Sequence, residues 1–284
     1  MRIKYFLFII SIFCSSLATA QTTDVFGNKV PSKKKVVAPI PADYNKTDAK
    51  GMKQGKWEKR YTSGAPLYTA TFKDDKPVRE YIRYYPNGKM SMRIVYDAEG
   101  VNGEAELFDD KEELASKGKF VGKSKEGTWT YYTAKQVIAS TEEFVNNKKH
   151  GKALVYYPDG KIAETYAYNK GLKHGEWNKF FQSGAVLLKA EYINDLLEGK
   201  YLYYFEGGQL EIDASYKNDK EDGKWTFYFE DGKVNYILKY KDGVLLNPEV
   251  IEERKAKEKA EFEKNKHLIK DPEKMKNNPD EYIR

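Results

Sequence analysis

The sequence contains few of the side chains from which catalytic and metal centres are usually built. Its 284 residues include one cysteine and three histidines. Cys14 lies near the N-terminus, and His150, His174 and His267 are widely separated. No nucleophile–base pair, phosphate-binding glycine loop or Cys/His cluster is recognisable. We therefore predict that the protein is not an enzyme and has no catalytic residue, cofactor or bound metal.

A strong excess of charge of one sign is also missing. The chain has 49 basic and 43 acidic residues, a formal net charge of +6. Proteins that bind nucleic acid usually concentrate their basic residues on one face or in one segment. The balance of charges therefore predicts no nucleic-acid partner.

Long hydrophobic runs are confined to the N-terminus. Residues 1–20 begin with two basic residues, continue through an apolar core at 5–13 and end on Ala18-Thr19-Ala20. This order is typical of a secretory signal peptide, here cleaved after Ala20. The core is too short to span a bilayer, so we expect no transmembrane segment after cleavage. The pattern predicts a periplasmic, secreted or cell-surface protein.

The segment after the signal peptide, residues 21–54, is expected to form a flexible basic linker. It contains Pro31, Pro39 and Pro41, the run Lys33-Lys34-Lys35, and few large apolar residues. Such a composition favours an extended, mobile chain over a packed element.

A fixed period of 24 residues organises the chain from Gly55 onward. Seven of the eight positions reached in steps of 24 are glycine, with Arg79 as the exception. An aromatic residue stands seventeen residues after each of these positions, and no unit contains an insertion. Such a period indicates a repeat architecture. We number each unit from the residue reached in these steps of 24, which we call the register residue and place at position 0.

Each unit has the pattern of one β-hairpin. Positions 2–6 are rich in aromatic and β-branched residues, position 9 is a second glycine in six of eight units, and positions 10–18 form the return strand. Asn-Gly and Asp-Gly pairs at positions 8 and 9 predict a tight turn there, and positions 19–23 a polar turn. Units three and four carry Glu112 and Gln136 at position 9, so we expect looser turns. The predicted fold is all-β, a single elongated antiparallel meander of eight 24-residue β-hairpin repeats over residues 55–246.

The expected register assigns the two faces of the sheet. If positions 8 and 9 form the turn, position 2 faces 15, position 4 faces 13 and position 6 faces 11. Positions 2, 11 and 15 are mostly apolar and are expected to share the buried face. The same register sets position 0 opposite the aromatic residue at position 17. A ring lying across a bare glycine backbone would explain both preferences structurally.

Position 5 places aromatic residues on the opposite, mostly polar face. Seven units share this feature: Tyr84, Phe108, Tyr132, Tyr156, Phe180, Tyr204 and Tyr228. Two strands separate successive members, so they should form a ladder with steps of about 10 Å. Exposed apolar stripes usually mark binding surfaces, and the ladder is our candidate binding surface. The alternative is that the protein's own tail covers it or that it stiffens the sheet.

The last segment, residues 247–284, is predicted to be a charged helix followed by an irregular tail. Asn247 is a suitable N-cap and Pro248 a suitable first helical residue. We expect a helix from Pro248 to about Lys266 that blocks the open edge of the last repeat or lies along a sheet face.

The motif around residues 171–184 resembles a known family. Gly171-Leu172-Lys173-His174-Gly175-Glu176-Trp177, followed by Phe180-Phe181 and Gly184, is similar to the MORN-repeat variant unit. Bacterial members are often labelled YwqK-family antitoxins. The resemblance implies a β-hairpin solenoid that acts as a protein- or lipid-binding scaffold, and the antitoxin label implies neutralisation of a partner toxin. The signal peptide argues against a cytoplasmic antitoxin, and the motif contains no catalytic residue.

These observations together predict an exported, non-enzymatic repeat scaffold that mediates protein–protein interaction in the bacterial envelope. Its partner would be an envelope protein that the sequence does not identify. Glycan binding is an alternative because aromatic rings stack on sugars, and an antitoxin or immunity role is another.

Overall fold

The computed structural model describes residues 38–266. The predicted signal peptide, the first part of the predicted linker and His267 lie outside the described residues. No helix within residues 38–266 combines the length and the apolar character needed to cross a bilayer.

The described residues form nineteen strands and one helix. In chain order these are β1 (Lys46–Thr47), β2 (Lys53–Arg60), β3 (Pro66–Lys73), β4 (Lys76–Tyr84), β5 (Met90–Tyr96), β6 (Asn102–Phe108), β7 (Leu114–Val121), β8 (Ser124–Tyr132), β9 (Ile138–Val145), β10 (Lys148–Tyr156), β11 (Ile162–Asn169), β12 (Leu172–Phe180), β13 (Val186–Ile193), β14 (Leu196–Tyr204), β15 (Leu210–Lys217), β16 (Lys220–Glu221), β17 (Gly223–Tyr228), β18 (Val234–Lys241), β19 (Val244–Leu245) and α1 (Glu249–Asn265).

The strands form one open antiparallel meander in which each strand pairs with its neighbour in sequence. Eight hairpins, from β2–β3 to β17–β18, correspond to the eight repeats. Short β16 and β17 both pair with β15, so they are two parts of one interrupted strand. The predicted all-β meander of hairpin repeats with a C-terminal helix is confirmed.

The turn inside each repeat differs from the predicted one. In the first repeat the Gly64 N–H donates to the Tyr61 carbonyl at 2.9 Å, and the Tyr61 N–H donates to the Ala65 carbonyl at 2.8 Å. The loop therefore has three residues, positions 7–9, and Gly64 at its end has a left-handed φ of 86°. Three-residue loops of this kind end in a left-handed residue that forms a β-bulge. The predicted two-residue turn at positions 8 and 9 is wrong.

This loop shifts the strand register near the turn. Away from it the predicted pairs are confirmed, with Gly55 opposite Phe72, Trp57 opposite Ala70 and Lys59 opposite Tyr68. After a bulge at position 12, however, Arg60 lies opposite Pro66. Position 11 therefore pairs with position 5, and the predicted pairing of 6 with 11 is wrong.

Units three and four have the same turn as the others. The Glu112 N–H donates to the Asp109 carbonyl at 3.0 Å, and the Gln136 N–H donates to the Thr133 carbonyl at 2.8 Å. Glu112 and Gln136 take φ values of 72° and 59° at the position that is glycine elsewhere. The expectation of looser turns is therefore wrong. The backbone of Glu112 and Gln136 adopts the left-handed conformation that glycine adopts in the other repeats.

The connections between repeats are tighter than predicted. Between β9 and β10, Val145 pairs directly with Lys148, and Asn146 and Asn147 have φ values of 50° and 67°. Two consecutive positive φ angles define the two-residue turn that matches strand twist. The polar turn predicted over positions 19–23 is thus a two-residue turn at positions 19 and 20 in six of the seven connections. Between β5 and β6 the Asp97 N–H donates to the Asn102 carbonyl at 2.9 Å around a four-residue loop.

A second bulge follows this turn and explains the register glycine. Gly127 and Gly151 have left-handed φ values of 66° and 88°, and Arg79 adopts 61° at the same position. A Cβ added at Gly55 or Gly127 would meet no atom within 4 Å, so no ring covers the glycine on that side. The prediction that the position-17 ring explains the glycine at position 0 is therefore wrong. The left-handed backbone conformation explains it. Gly103 lacks the positive φ, and a Cβ built there would stand 2.5 Å from Ile94 and 3.0 Å from the Tyr96 ring of the preceding repeat.

The buried face owes its packing to rings that lie flat on the sheet. Trp129 is fully buried, and a Cβ on Gly118 would stand 2.4 Å from its indole. Phe120 and Phe144 pack edge-on against Trp129 with centroid distances of 5.1 and 6.5 Å. A bare glycine backbone thus supplies the surface on which the indole packs.

An asparagine covers each edge of the sheet. At the first edge the Asn45 amide accepts from the Glu58 N–H at 2.9 Å and donates to the Glu58 carbonyl at 3.0 Å. At the last edge the Asn247 amide accepts from the Lys239 N–H at 2.7 Å and donates to the Ile237 carbonyl at 3.0 Å. Residues 44–54, which the sequence assigns to the flexible linker, therefore include an ordered edge segment with β1 and the start of β2.

Helix α1 begins close to its predicted start. Pro248 occupies the N-cap and no side chain caps the helix, so the predicted N-cap role of Asn247 is wrong because its amide binds β18 instead. The Arg254 guanidinium stacks 3.8 Å from the Tyr236 ring centroid. Tyr236 belongs to the face opposite position 5. Segment 244–247 thus blocks the last edge, while α1 contacts the buried face.

Candidate interaction surface

The bulge places a row of aliphatic residues beside the position-5 aromatics. Residues directly opposite in an antiparallel pair share a face. The pairs are Tyr84–Met90, Phe108–Leu114, Tyr132–Ile138, Tyr156–Ile162, Phe180–Val186, Tyr204–Leu210 and Tyr228–Val234. The prediction that position 11 lies on the buried face is therefore wrong. We call these seven pairs the ladder strip.

The aromatic members of the ladder strip are half-buried, and several aliphatic members are more open. Ile138, Ile162 and Val234 are 43%, 39% and 51% exposed. The strip is therefore a partly solvated apolar surface, and its aliphatic row carries the most accessible atoms.

Neighbouring repeats hold the aromatic members in place. The Tyr85 hydroxyl donates to the Phe108 carbonyl at 2.7 Å, and the Tyr157 hydroxyl donates to the Phe180 carbonyl at 2.7 Å. Position 6 of one repeat thus binds the backbone of position 5 in the next. With the bond from the Tyr61 hydroxyl to the Tyr84 carbonyl, three of the seven aromatic members are tied to the repeat before them.

The ladder strip deepens into a groove of about 460 Å³ in repeats six and seven. Phe180, Val186 and Leu202 supply its apolar side chains. Its charged lining carries both signs: Glu176, Lys189, Glu191 and Lys200. An apolar centre with a mixed charged rim is the usual composition of a protein interface.

The same face is more polar in repeats two to four. A second groove, of about 340 Å³, is lined by Arg93, Glu106, Lys117 and the backbone side of Gly118, among others. Arg93 lies 2.7 Å from Glu80 and 3.4 Å from Glu106. Hydrogen bonds to these two carboxylates raise the pKa of the Arg93 guanidinium. This end of the face is thus held by its own ion pairs.

On the buried face, sequence reasoning missed a series of lysines that lie on aromatic rings. Lys53 Nζ is 4.8 Å from the ring centroids of both Trp57 and Phe72. Lys125 Nζ lies 4.1 Å from Trp129. Burial lowers the pKa of the Lys125 ammonium. The signal in the sequence is lysine at position 22, two residues before a register glycine, as in Lys53-Gln54-Gly55-Lys56-Trp57.

The two described histidines remain apart from any metal-like arrangement. Both His150 and His174 are exposed on strands that follow inter-repeat turns, and His174 Nδ1 lies 3.3 Å from Asn194 Oδ1. Within residues 38–266 no group of three or more His, Cys, Asp or Glu side chains is placed to hold a metal ion.

The fold and its surfaces define a β-hairpin repeat protein. The model of the MORN repeat variant family matches four segments of the chain, at residues 80–98, 149–170, 197–218 and 221–242. The chain therefore carries repeats of the MORN-repeat variant family, as its motif predicts. Such repeats are generally modules that interact with proteins or membranes.

Other comparisons add no functional information. No curated protein matches the chain. The crystal structure of the GtfA/B complex is matched at 12% identity over 37% of this chain and 20% of that chain, with a TM-score of 0.27. An S. aureus TarM mutant in complex with fondaparinux, alpha-GlcNAc-glycerol and UDP is matched at 11% identity over 51% of this chain and 21% of that chain, with a TM-score of 0.16. The chain spans about a fifth of the length of these structures, and the low scores carry no argument.

Proposed function

We propose that this protein is an exported, non-enzymatic scaffold that binds another protein of the bacterial envelope along the ladder strip. The observation that supports this most strongly is the pairing of position 5 with position 11, which makes two apolar rows contiguous on a face that the sequence otherwise keeps polar. The signal-peptide pattern of residues 1–20 supports export.

The dimensions of the ladder strip suit a protein partner. Successive rungs are two strands, or about 10 Å, apart, so a partner that touches four rungs covers about 30 Å of sheet. Stable interfaces bury about 800 Å² on each side, which such a contact can provide. Binding energy in an interface concentrates in a few buried aromatic anchors. Phe180 is the best-placed anchor because Val186 and Leu202 line the same groove.

Site-specific photo-crosslinking tests this proposal. A photoreactive amino acid would replace the exposed strip residues Ile138, Ile162 and Val234, one at a time, in the full chain expressed in its native host. The matched controls replace Leu172 and Val244, which are 43% and 62% exposed but lie outside the strip. The proposal expects one discrete protein adduct, identical at the strip positions and missing from the controls. Equal adducts at strip and control positions would contradict it.

A second experiment asks whether the partner recognises a few anchors or the whole row. Phe180→Ser combined with Leu202→Ser should reduce adduct formation at Val234 by at least tenfold, whereas Leu172→Ser should leave it unchanged. Circular dichroism checks that each variant folds. If the strip yields no protein adduct but the native chain binds envelope oligosaccharide, and single ring substitutions weaken that binding stepwise, the glycan alternative replaces the scaffold.

A further inference from the structure

The lysines on the buried face occupy a recurring structure, which we call a cradle. A cradle consists of the aromatic residues at positions 2 and 17 of one repeat, whose rings touch. The cradle pairs, with the distances between ring centroids, are Trp57–Phe72 at 6.0 Å, Trp129–Phe144 at 6.5 Å, Trp177–Tyr192 at 5.5 Å, Tyr201–Tyr216 at 5.3 Å and Trp225–Tyr240 at 5.3 Å. Five repeats therefore present a touching pair of rings at these two positions.

In three of these cradles a lysine from the preceding strand segment lies on the rings. Lys53 lies over the first pair. Lys125 lies 4.1 Å from Trp129 and 5.0 Å from Phe144. Lys173 lies 4.7 Å from Tyr192. An ammonium within about 6 Å of a ring centroid is attracted by the negative face of the ring. The protein thus shows, three times, which group its cradles accept.

The cradle of the eighth repeat has a glutamate at the position where three cradles have lysine and the cradle of the seventh repeat has Leu197. Glu221 stands at position 22, two residues before Gly223, as Lys125 stands two residues before Gly127. Tyr216 joins this cradle with its ring 5.3 Å from Trp225. Trp225 therefore packs against two position-17 rings, as Trp129 does against Phe120 and Phe144, but this cradle has a carboxylate in place of an ammonium.

Glu221 lies opposite Tyr216 across the sheet, and burial followed by the charge of Glu221 raises the pKa of the Tyr240 hydroxyl. The Glu221 carboxylate forms no ion pair among residues 38–266. Its Oε2 is 3.7 Å from the point where a Cβ on Gly243 would stand, at the turn that follows Tyr240. Two other carboxylates on this face form ion pairs, Glu142 with Lys149 at 2.6 Å and Glu164 with Lys179 at 3.0 Å. A half-buried carboxylate beside aromatic rings favours a cation from outside the chain.

We propose that Trp225, Tyr240 and Glu221 form a binding site for the side-chain ammonium of a lysine on a partner protein. The partner's lysine takes the place that Lys53, Lys125 and Lys173 fill in three other cradles. The rings attract the ammonium through their faces, and Glu221 supplies a counter-charge. The site lies on the face opposite the ladder strip and does not depend on the function proposed for that strip.

Nuclear magnetic resonance of the indole N–H groups tests the site directly. The four indole signals of the full chain are assigned by Trp→Phe variants and followed during titration with n-butylammonium, which stands for a lysine side chain. We expect a saturable shift of the Trp225 signal in the millimolar range. The Trp57 and Trp129 signals should not move, because their cradles hold their own lysines. The uncharged analogue 1-pentanol should produce no saturable shift.

Two substitutions at Glu221 distinguish the effect of its negative charge from the effect of filling the cradle with a lysine. Glu221→Gln should weaken the n-butylammonium response at least fivefold, and Glu221→Lys should abolish it because the new lysine fills the cradle. Phe180→Ser, on the other face, should leave the response unchanged. A Glu221→Lys protein that still responds, or an equal response to 1-pentanol, overturns the proposal. A stronger response to tetramethylammonium than to n-butylammonium overturns the assignment to a lysine side chain.

Discussion

At the scale of single residues, position 0 of each repeat requires a left-handed backbone conformation, and this requirement can be separated from side-chain packing. Arg79 adopts a φ of 61° where most other repeats have a glycine with φ between 66° and 102°. The left-handed conformation costs a non-glycine residue about 1–2 kcal/mol because its Cβ crowds the backbone. Arg79 therefore carries a strain that the glycines at this position avoid.

Replacing this arginine should stabilise the protein. We expect Arg79→Gly to raise the free energy of unfolding by about 1 kcal/mol, the relieved strain less the added entropy of glycine in the unfolded chain. Gly127→Ala is the matched control and should lower it by a similar amount, because a Cβ there meets nothing within 4 Å and the cost is conformational. Urea unfolding followed by circular dichroism measures both. A lower stability of Arg79→Gly would mean that the arginine side chain makes contacts that outweigh the strain.

At the scale of the hairpin, the sequence pattern predicts the strand pairing far from the turn but not the pairing next to it. The 24-residue period and the alternation of apolar residues correctly pair position 0 with 17, 2 with 15 and 4 with 13. The pair Asn87-Gly88 fits both a two-residue turn and the end of a three-residue loop, since only Gly88 needs a positive φ. That ambiguity of one residue decides which face position 11 occupies.

The candidate surfaces were predictable to different degrees for the same reason. The aromatic row at position 5 follows from periodicity alone, and its role in binding stays a prediction. The sequence did not predict that the aliphatic residues at position 11 lie beside this row. The bulge that places them there is a feature of the backbone, and the sequence signal for it is weak. The consecutive Asn and Asp residues at positions 19 and 20, such as Asn146-Asn147 and Asp74-Asp75, are the stronger signal for the two-residue turn.

The packing between β7 and β8 gives a test of how the buried face is built. Gly118→Ala should lower the free energy of unfolding by about 2 kcal/mol, because the new methyl group would stand 2.4 Å from the buried Trp129 ring and overpacking costs about 1–3 kcal/mol. Urea unfolding measures the loss. The double variant Gly118→Ala/Trp129→Phe should lose less than the two single changes added together, since the smaller ring leaves room. Strict additivity would show that the methyl group and the indole do not collide.

At the scale of the whole repeat sheet, Asn45 and Asn247 at its two edges affect whether the sheet associates with another copy. An open sheet of this length presents unpaired N–H and C=O groups at two edges, which are templates for pairing with another chain. Asn45 and Asn247 each offer one acceptor and one donor to an edge strand, as a strand residue would. Since both side chains end the ladder without continuing it, they favour a monomeric sheet.

Removing both amides should therefore promote edge-to-edge association. We expect Asn45→Ala/Asn247→Ala to form dimers or larger species as its concentration rises through about 10–200 μM, because the N–H groups of Glu58 and Lys239 and the carbonyls of Glu58 and Ile237 lose their partners. Multi-angle light scattering coupled to size exclusion measures the mass, and hydrogen exchange at Lys239 should quicken in dilute, monomeric samples. Asn169→Ala is the control, since Asn169 lies on β11 inside the sheet with strands on both sides. A double variant that stays monomeric, with exchange at Lys239 unchanged, would show that β1 and β19 protect the edges without the amides.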